Sequence, residues 1–97
     1  MEYIPSSEVP DLVEKLPDVV GVGFVRRESF ERGLAITHEG IVLDGRTLVH
    51  ASLKEGKVVR MNFLDYLNRQ EYSGVSFFSI RRVMERNQTL RKLSSIP

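Results

Sequence analysis

Ile36-Thr37-His38-Glu39-Gly40-Ile41-Val42-Leu43-Asp44-Gly45-Arg46-Thr47-Leu48-Val49-His50-Ala51-Ser52 is the stretch that decides how this chain folds. Two β-prone runs flank the turn pair Asp44-Gly45, so the segment reads as a β-hairpin. It also carries both histidines of the chain, His38 and His50. Side chains alternate between the faces of a sheet, so the turn decides whether the two rings can meet. A two-residue turn at Asp44-Gly45 pairs Leu43 with Arg46 and His38 with Ala51, which leaves the rings on opposite faces. A three-residue loop, Leu43-Asp44-Gly45 with Gly45 left-handed, pairs Val42 with Arg46 and His38 directly with His50. We adopt the second register, with both imidazoles on one face.

On the N-terminal side, Met1 to Pro5 reads as an extended lead-in. Ser6-Ser7-Glu8-Val9-Pro10-Asp11-Leu12-Val13-Glu14-Lys15-Leu16 follows, with a serine cap, early acids and apolar residues at helical spacing. Pro10 fits the first turn of such a helix and Pro17 ends it. Val19 to Val25 is short and β-branched, a buried strand whose Gly21 and Gly23 mark close approach or a bulge. These glycines do not form a dinucleotide loop, because the third glycine, the following helix and the downstream acid are missing. Arg26 to Gly33 is a charged connection to the hairpin.

On the C-terminal side, Glu55-Gly56 turns the chain into a strand over Lys57-Val58-Val59-Arg60-Met61. Asn62 can cap a short helix whose Phe63, Leu64 and Leu67 form an apolar stripe that covers the sheet edge. Val75 to Arg82 alternates as a last strand, and the polar stretch from Val83 suits a short appended helix. The predicted fold class is α+β: an antiparallel sheet of about five strands with a short N-terminal helix and a covering helix. Residues 1–97 form one domain, of which 83–97 is a basic C-terminal extension.

Composition narrows the function. The 97 residues are 41% hydrophobic, enough for a modest core. A formal charge of +1 gives no general case for nucleic-acid binding. Arg81, Arg82, Arg86, Arg91 and Lys92 form a basic end, but no aromatic residues interleave to stack bases. No apolar run reaches the roughly 20 residues of a membrane helix, and the first residues lack a secretory signal pattern. No cysteine is present, which excludes disulfides, thiolate metal sites and a cysteine nucleophile supplied by these residues. Two histidines with only Glu39 nearby make a weak metal set, so neither a metal nor another cofactor is expected.

A histidine pair on one sheet face has an evident chemistry. One imidazole takes the proton of a nucleophile and returns it to a leaving amine, while a second group holds the first ring in the useful tautomer. His38 fills the role of base and His50 that of orienter, with His50 accepting from His38 Nδ1–H so that Nε2 points to substrate. Ser52, on the face of His50, is the candidate substrate-binding residue. Gly40 and Ala51 leave room for another group, and Glu39 points to the opposite face. The competing reading is a hydrogen-bonded histidine pair with a purely structural role.

Thr37-His38-Glu39-Gly40-Ile41-Val42-Leu43-Asp44-Gly45 followed by Leu48-Val49-His50-Ala51-Ser52 resembles the histidine hairpin of the NlpC-type, papain-like cell-wall peptidases and amidases. In those enzymes a His-x-Gly-Ile strand, a glycine turn and a strand ending His-Ala-Ser carry the base and its orienter, here His38 and His50. Tyr3-Ile4-Pro5 through Leu16, the Val19 to Val25 strand, Lys57-Val58-Val59, Leu64-Asp65-Tyr66-Leu67 and Gly74 to Arg81 are similar to the N-acetylmuramoyl-L-alanine amidase-like branch. The resemblance covers roughly residues 3–82 and implies the C-terminal sheet half of a papain-like fold. Relatives of that type place a catalytic cysteine on a helix N-terminal to the sheet, where the helix terminus helps hold the thiolate; this sequence begins after that place.

The resemblance implies an incomplete cysteine amidase or peptidase-like domain for peptidoglycan or muropeptide amide bonds, inactive alone, whose complete relatives act in the periplasm or cell envelope. The alternative is a non-catalytic binding or subunit-interaction module on the same scaffold, with a homo-oligomer formed through a sheet face left uncovered.

Overall fold

The computed structural model describes residues 3–28 and 36–80. Within them the fold is α+β, with six strands, one α-helix and two 3-10 segments. Strand β1 (Ile4–Pro5) leads into the 3-10 segments Ser6–Asp11 and Val13–Lys15, then β2 (Val19–Val25), β3 (His38–Leu43), β4 (Thr47–Ser52) and β5 (Lys57–Asn62). Helix α1 (Phe63–Arg69) and β6 (Gly74–Phe78) complete it. All pairings are antiparallel, in the order β1-β6-β2-β3-β4-β5. The strand beyond the five expected is the lead-in itself: Ile4 pairs with Val75 and Pro5 with Gly74. A proline is tolerated there because β1 is an edge. The residues read as a C-terminal helix, the basic extension 83–97 and part of the Arg26 to Gly33 connection lie outside the described residues.

The N-terminal helix predicted from spacing is not an α-helix. Leu12 N–H donates to the Val9 carbonyl and Lys15 N–H to the Leu12 carbonyl, the tighter three-residue pattern. Pro10, the fifth residue of its segment, has no N–H to give an α-helical ladder and would crowd the preceding turn. Ser6 does not cap either. Its hydroxyl donates to the Tyr72 carbonyl at 2.6 Å and its N–H to the Ser73 carbonyl, tying the segment to the end of the sheet.

Strand β2 is central and positions everything else. It pairs with β3 on one side and β6 on the other, and Val22 and Phe24 are fully buried on the face covered by Val9, Phe63, Leu67 and Tyr72. Each such side chain contributes about 1.5–3 kcal/mol by leaving water, so the aromatic and leucine residues carry most of the core. On the other face, Gly21 lies under the Phe78 ring and Gly23 under Ile36, as close approach at these glycines requires. Asn62 Oδ1 accepts from the Asp65 amide, so the expected cap starts α1.

The hairpin departs from the predicted register but keeps its parity. Leu43 pairs with Thr47 and Val42 with Leu48, not with Arg46. The loop is Asp44-Gly45-Arg46: both Asp44 (φ 51°) and Gly45 (φ 66°) are left-handed, and Arg46 N–H donates to the Leu43 carbonyl. Arg46 stays out of the ladder because its carbonyl accepts from the Phe63 amide, while Asp44 N–H donates to the Asp18 carbonyl. A Cβ at position 45 would run into the Val13 carbonyl, so only glycine fits. This three-residue loop moves the pairing by two positions, which preserves faces. Continued along the strands, it sets Gly40, not His38, against His50.

Candidate functional site

His38 opens β3 opposite Phe24, and His50 lies in β4 opposite Val59. Both point to the core face, at the end of the sheet where α1 packs. Gly40 makes room there: a Cβ at that position would sit 2.8 Å from Leu48 Cδ1 and 3.1 Å from His50 Cβ. His50 is 6% exposed, and His38 is half-buried. The Phe24 ring supports His38 at 5.8 Å, and Tyr66 of α1 packs against His50 at 4.6 Å between centroids.

The rings stand nearly perpendicular, at 86°, with His38 Nε2 and His50 Nδ1 2.7 Å apart. The remaining nitrogen of His50, Nε2, is 3.2 Å from Met61 Sδ. Burial, the main cause, lowers the pKa of both histidines below the ordinary 6.5; Glu39 offsets this in part for His38, and the neighbouring His38 adds to it for His50. Both imidazoles are therefore neutral near pH 7, each with one N–H and one lone pair.

Only one arrangement of protons makes both contacts hydrogen bonds. A thioether sulfur can only accept, so the Met61 contact carries a proton only if His50 is protonated at Nε2. His50 Nδ1 is then a lone pair, and the short contact between the rings carries a proton only if His38 donates from Nε2. His38 Nδ1 is left as the free lone pair. This reverses the nitrogens expected from sequence, where His38 Nδ1–H bonded His50 and Nε2 was free. The cause is that His38 reaches His50 diagonally from two residues along the strand.

The rings open into a cleft of about 780 Å³ whose lining includes Arg26, Thr37, Ser52 and Tyr66. Ser52 thus lies at the same cleft, but its hydroxyl oxygen accepts from the Glu55 amide at 3.1 Å and helps close the turn before β5. Tyr66 and Tyr72 hydroxyls are 3.2 Å apart. Burial first, and then that hydrogen bond, hold the Tyr66 phenol well above its ordinary pKa, so it remains a donor. Glu39 is exposed, as its alternation with His38 requires. Among the described residues, no group of three or more histidine, aspartate or glutamate side chains could hold a metal ion.

Sequence reasoning missed Met61, Tyr66, Arg26 and Tyr72. Tyr66 was legible in part, since it falls three residues after Phe63 on the inward stripe of α1. Met61 sits diagonally from His50 across β4 and β5, which only the register reveals. No family model matches the chain, and neither does any curated protein or solved structure.

The depressed histidine pKa values have a consequence for stability. The unfolded chain binds protons near 6.5 and the folded chain only at lower pH, so falling pH favours the unfolded state between those values. The contribution of the neutral pair is full above about pH 6.5 and is lost as pH falls through the folded pKa values. The melting temperature should therefore drop between about pH 7.5 and 5.5, and less steeply in a His38→Gln/His50→Gln double variant. Parallel profiles would mean that the histidines are not held neutral by the fold.

Proposed function

We propose that this chain is the base half of a cysteine amidase or peptidase of the cell-wall hydrolase type, acting on peptidoglycan or muropeptide amide bonds with a thiol supplied from outside these residues. The observation that supports it is the histidine pair: His38 Nε2 and His50 Nδ1 in contact at 2.7 Å, His50 Nε2 against Met61, and both rings lining one open cleft, an arrangement that leaves His38 Nδ1 as the neutral base.

In this reading His38 Nδ1 takes the proton of the incoming thiol. The imidazolium formed donates from Nε2 to His50 Nδ1 in a charge-assisted hydrogen bond, which stabilises it. The thiolate adds to the amide carbonyl, the C–N bond breaks, and His38 returns its proton to the leaving amine. Water, deprotonated by the same nitrogen, then cleaves the thioester and restores the thiol. Because no cysteine occurs in the sequence, the chain alone does not turn over.

The test is to complete the site. A cysteine-bearing helix of the type found in the enzymes that the hairpin resembles is fused ahead of residue 3, and peptide release from muropeptides is followed by mass spectrometry. Release should require both the added cysteine and His38. Equal release from the completed protein and its His38→Ala version would sink the reading.

The missing thiol also favours a second reading, a non-catalytic binding or subunit-interaction module. Strand β5 is an edge of the sheet, and its Val58 is 65% exposed, a surface on which a second copy could pair.

A further inference from the structure

We propose that Arg26 anchors a carboxylate subsite in the histidine cleft, so that the ligand is a peptide or acyl-amino acid carrying a free carboxylate close to the amide. The peptide part of this statement rests on the amidase reading above; the anion site rests on geometry alone.

Arg26 lines the same cleft as His38 and is half-buried. Its guanidinium carbon lies 4.4 Å from the centroid of Tyr72. Tyr72 is itself only 9% exposed, stacked on Phe24 at 4.7 Å and hydrogen-bonded to Tyr66. A guanidinium held over a ring by cation–π attraction keeps its N–H donors for a bidentate partner. Among the described residues, no carboxylate is paired with it. The backbone is also held: Ser73 N–H donates to the Val25 carbonyl and Arg27 N–H to Ser73 Oγ, on either side of Arg26. An arginine held over Tyr72 and by its neighbours' backbone bonds, with no carboxylate partner among the described residues, is pre-organised for an anion.

Position and charge narrow the ligand. Arg26 stands two residues beyond Phe24, the strand partner of His38, and lines the same cleft as that histidine. The cleft lining holds three cations (Arg26, Lys54 and Arg69) and two carboxylates (Glu55 and Asp65), with both imidazoles neutral. The surplus is one positive charge. It balances a carboxylate, whereas a phosphate monoester carries about −1.5 to −2 near neutral pH.

The probe is N-acetylalanylglycine, titrated into the ¹⁵N-labelled protein beside its C-terminal amide and beside inorganic phosphate. The acid should bind at least about tenfold more tightly than the amide, with shifts at the Arg26 side chain, His38 and Tyr72. In Arg26→Gln the acid and amide should bind alike, and Arg26→Lys should keep part of the preference; unchanged amide dispersion shows that either variant is folded. Equal affinity of acid and amide in the parent protein, no binding of the acid, or a preference that survives Arg26→Gln would overturn the assignment, as would tighter binding of phosphate. Carboxylate binding without hydrolysis in the completed protein would leave the subsite and remove the amidase reading. Hydrolysis without a carboxylate preference would do the reverse.

Discussion

Substituting His38 by alanine in the cysteine-completed protein should lower kcat/KM for amide hydrolysis by about 10²–10⁴-fold, the usual contribution of a positioned general base. The effect should be large because this one nitrogen is asked to do three things: deprotonate the thiol, protonate the leaving amine and activate the water. His38 is also the only group in the described site with a directed free lone pair on a neutral imidazole. His50→Ala should cost less, since it frees His38 to rotate and change tautomer without removing the base. Initial rates at fixed low substrate concentration check both. A His50→Ala loss larger than that of His38→Ala would exchange the assigned roles.

Phe24→Ala should destabilise the fold by about 3–5 kcal/mol, read from the midpoint of urea unfolding. Phe24 is fully buried in the central strand and packs against Phe63 and Tyr66 of α1 and against Tyr72. Its removal leaves a cavity that strands paired on both sides cannot collapse to fill. Total stabilities of small domains are about 5–15 kcal/mol, so this one change removes a large fraction. The same ring supports His38 and Tyr72, so any variant protein that remains folded should also lose order at both side chains. A loss below about 1 kcal/mol would mean that Phe24 is not the centre of the core.

Much of the framework was legible because it follows local rules. The Val19 to Val25 strand, the Asn62 cap and the two hairpin strands rest on β-branched runs, a capping side chain and a glycine turn, which act over a few residues. The N-terminal helix is of the 3-10 kind, a distinction that apolar spacing does not make, with Pro10 inside it and Ser6 committed to Tyr72, sixty-six positions away. The hairpin register was off by two for a similar reason: Arg46 leaves the ladder to serve the amide of Phe63, a contact made only in the folded chain. That error spared the site, since a shift of two preserves faces and still brings His38 and His50 to 2.7 Å. Spacing pointed to Nε2 as the free nitrogen of His38, where the contacts leave Nδ1. The choice is set by Met61 from another strand, and no spacing rule links a methionine in β5 to a histidine tautomer in β3.

The proton chain runs from His38 through His50 to Met61 and leaves His38 Nδ1 bare. Long-range ¹H–¹⁵N correlation of the two imidazoles, at a pH where both are neutral, reads each nitrogen directly. Protonated Nε2 and lone-pair Nδ1 are expected on both rings. A proton on Nδ1 of either histidine would contradict that chain.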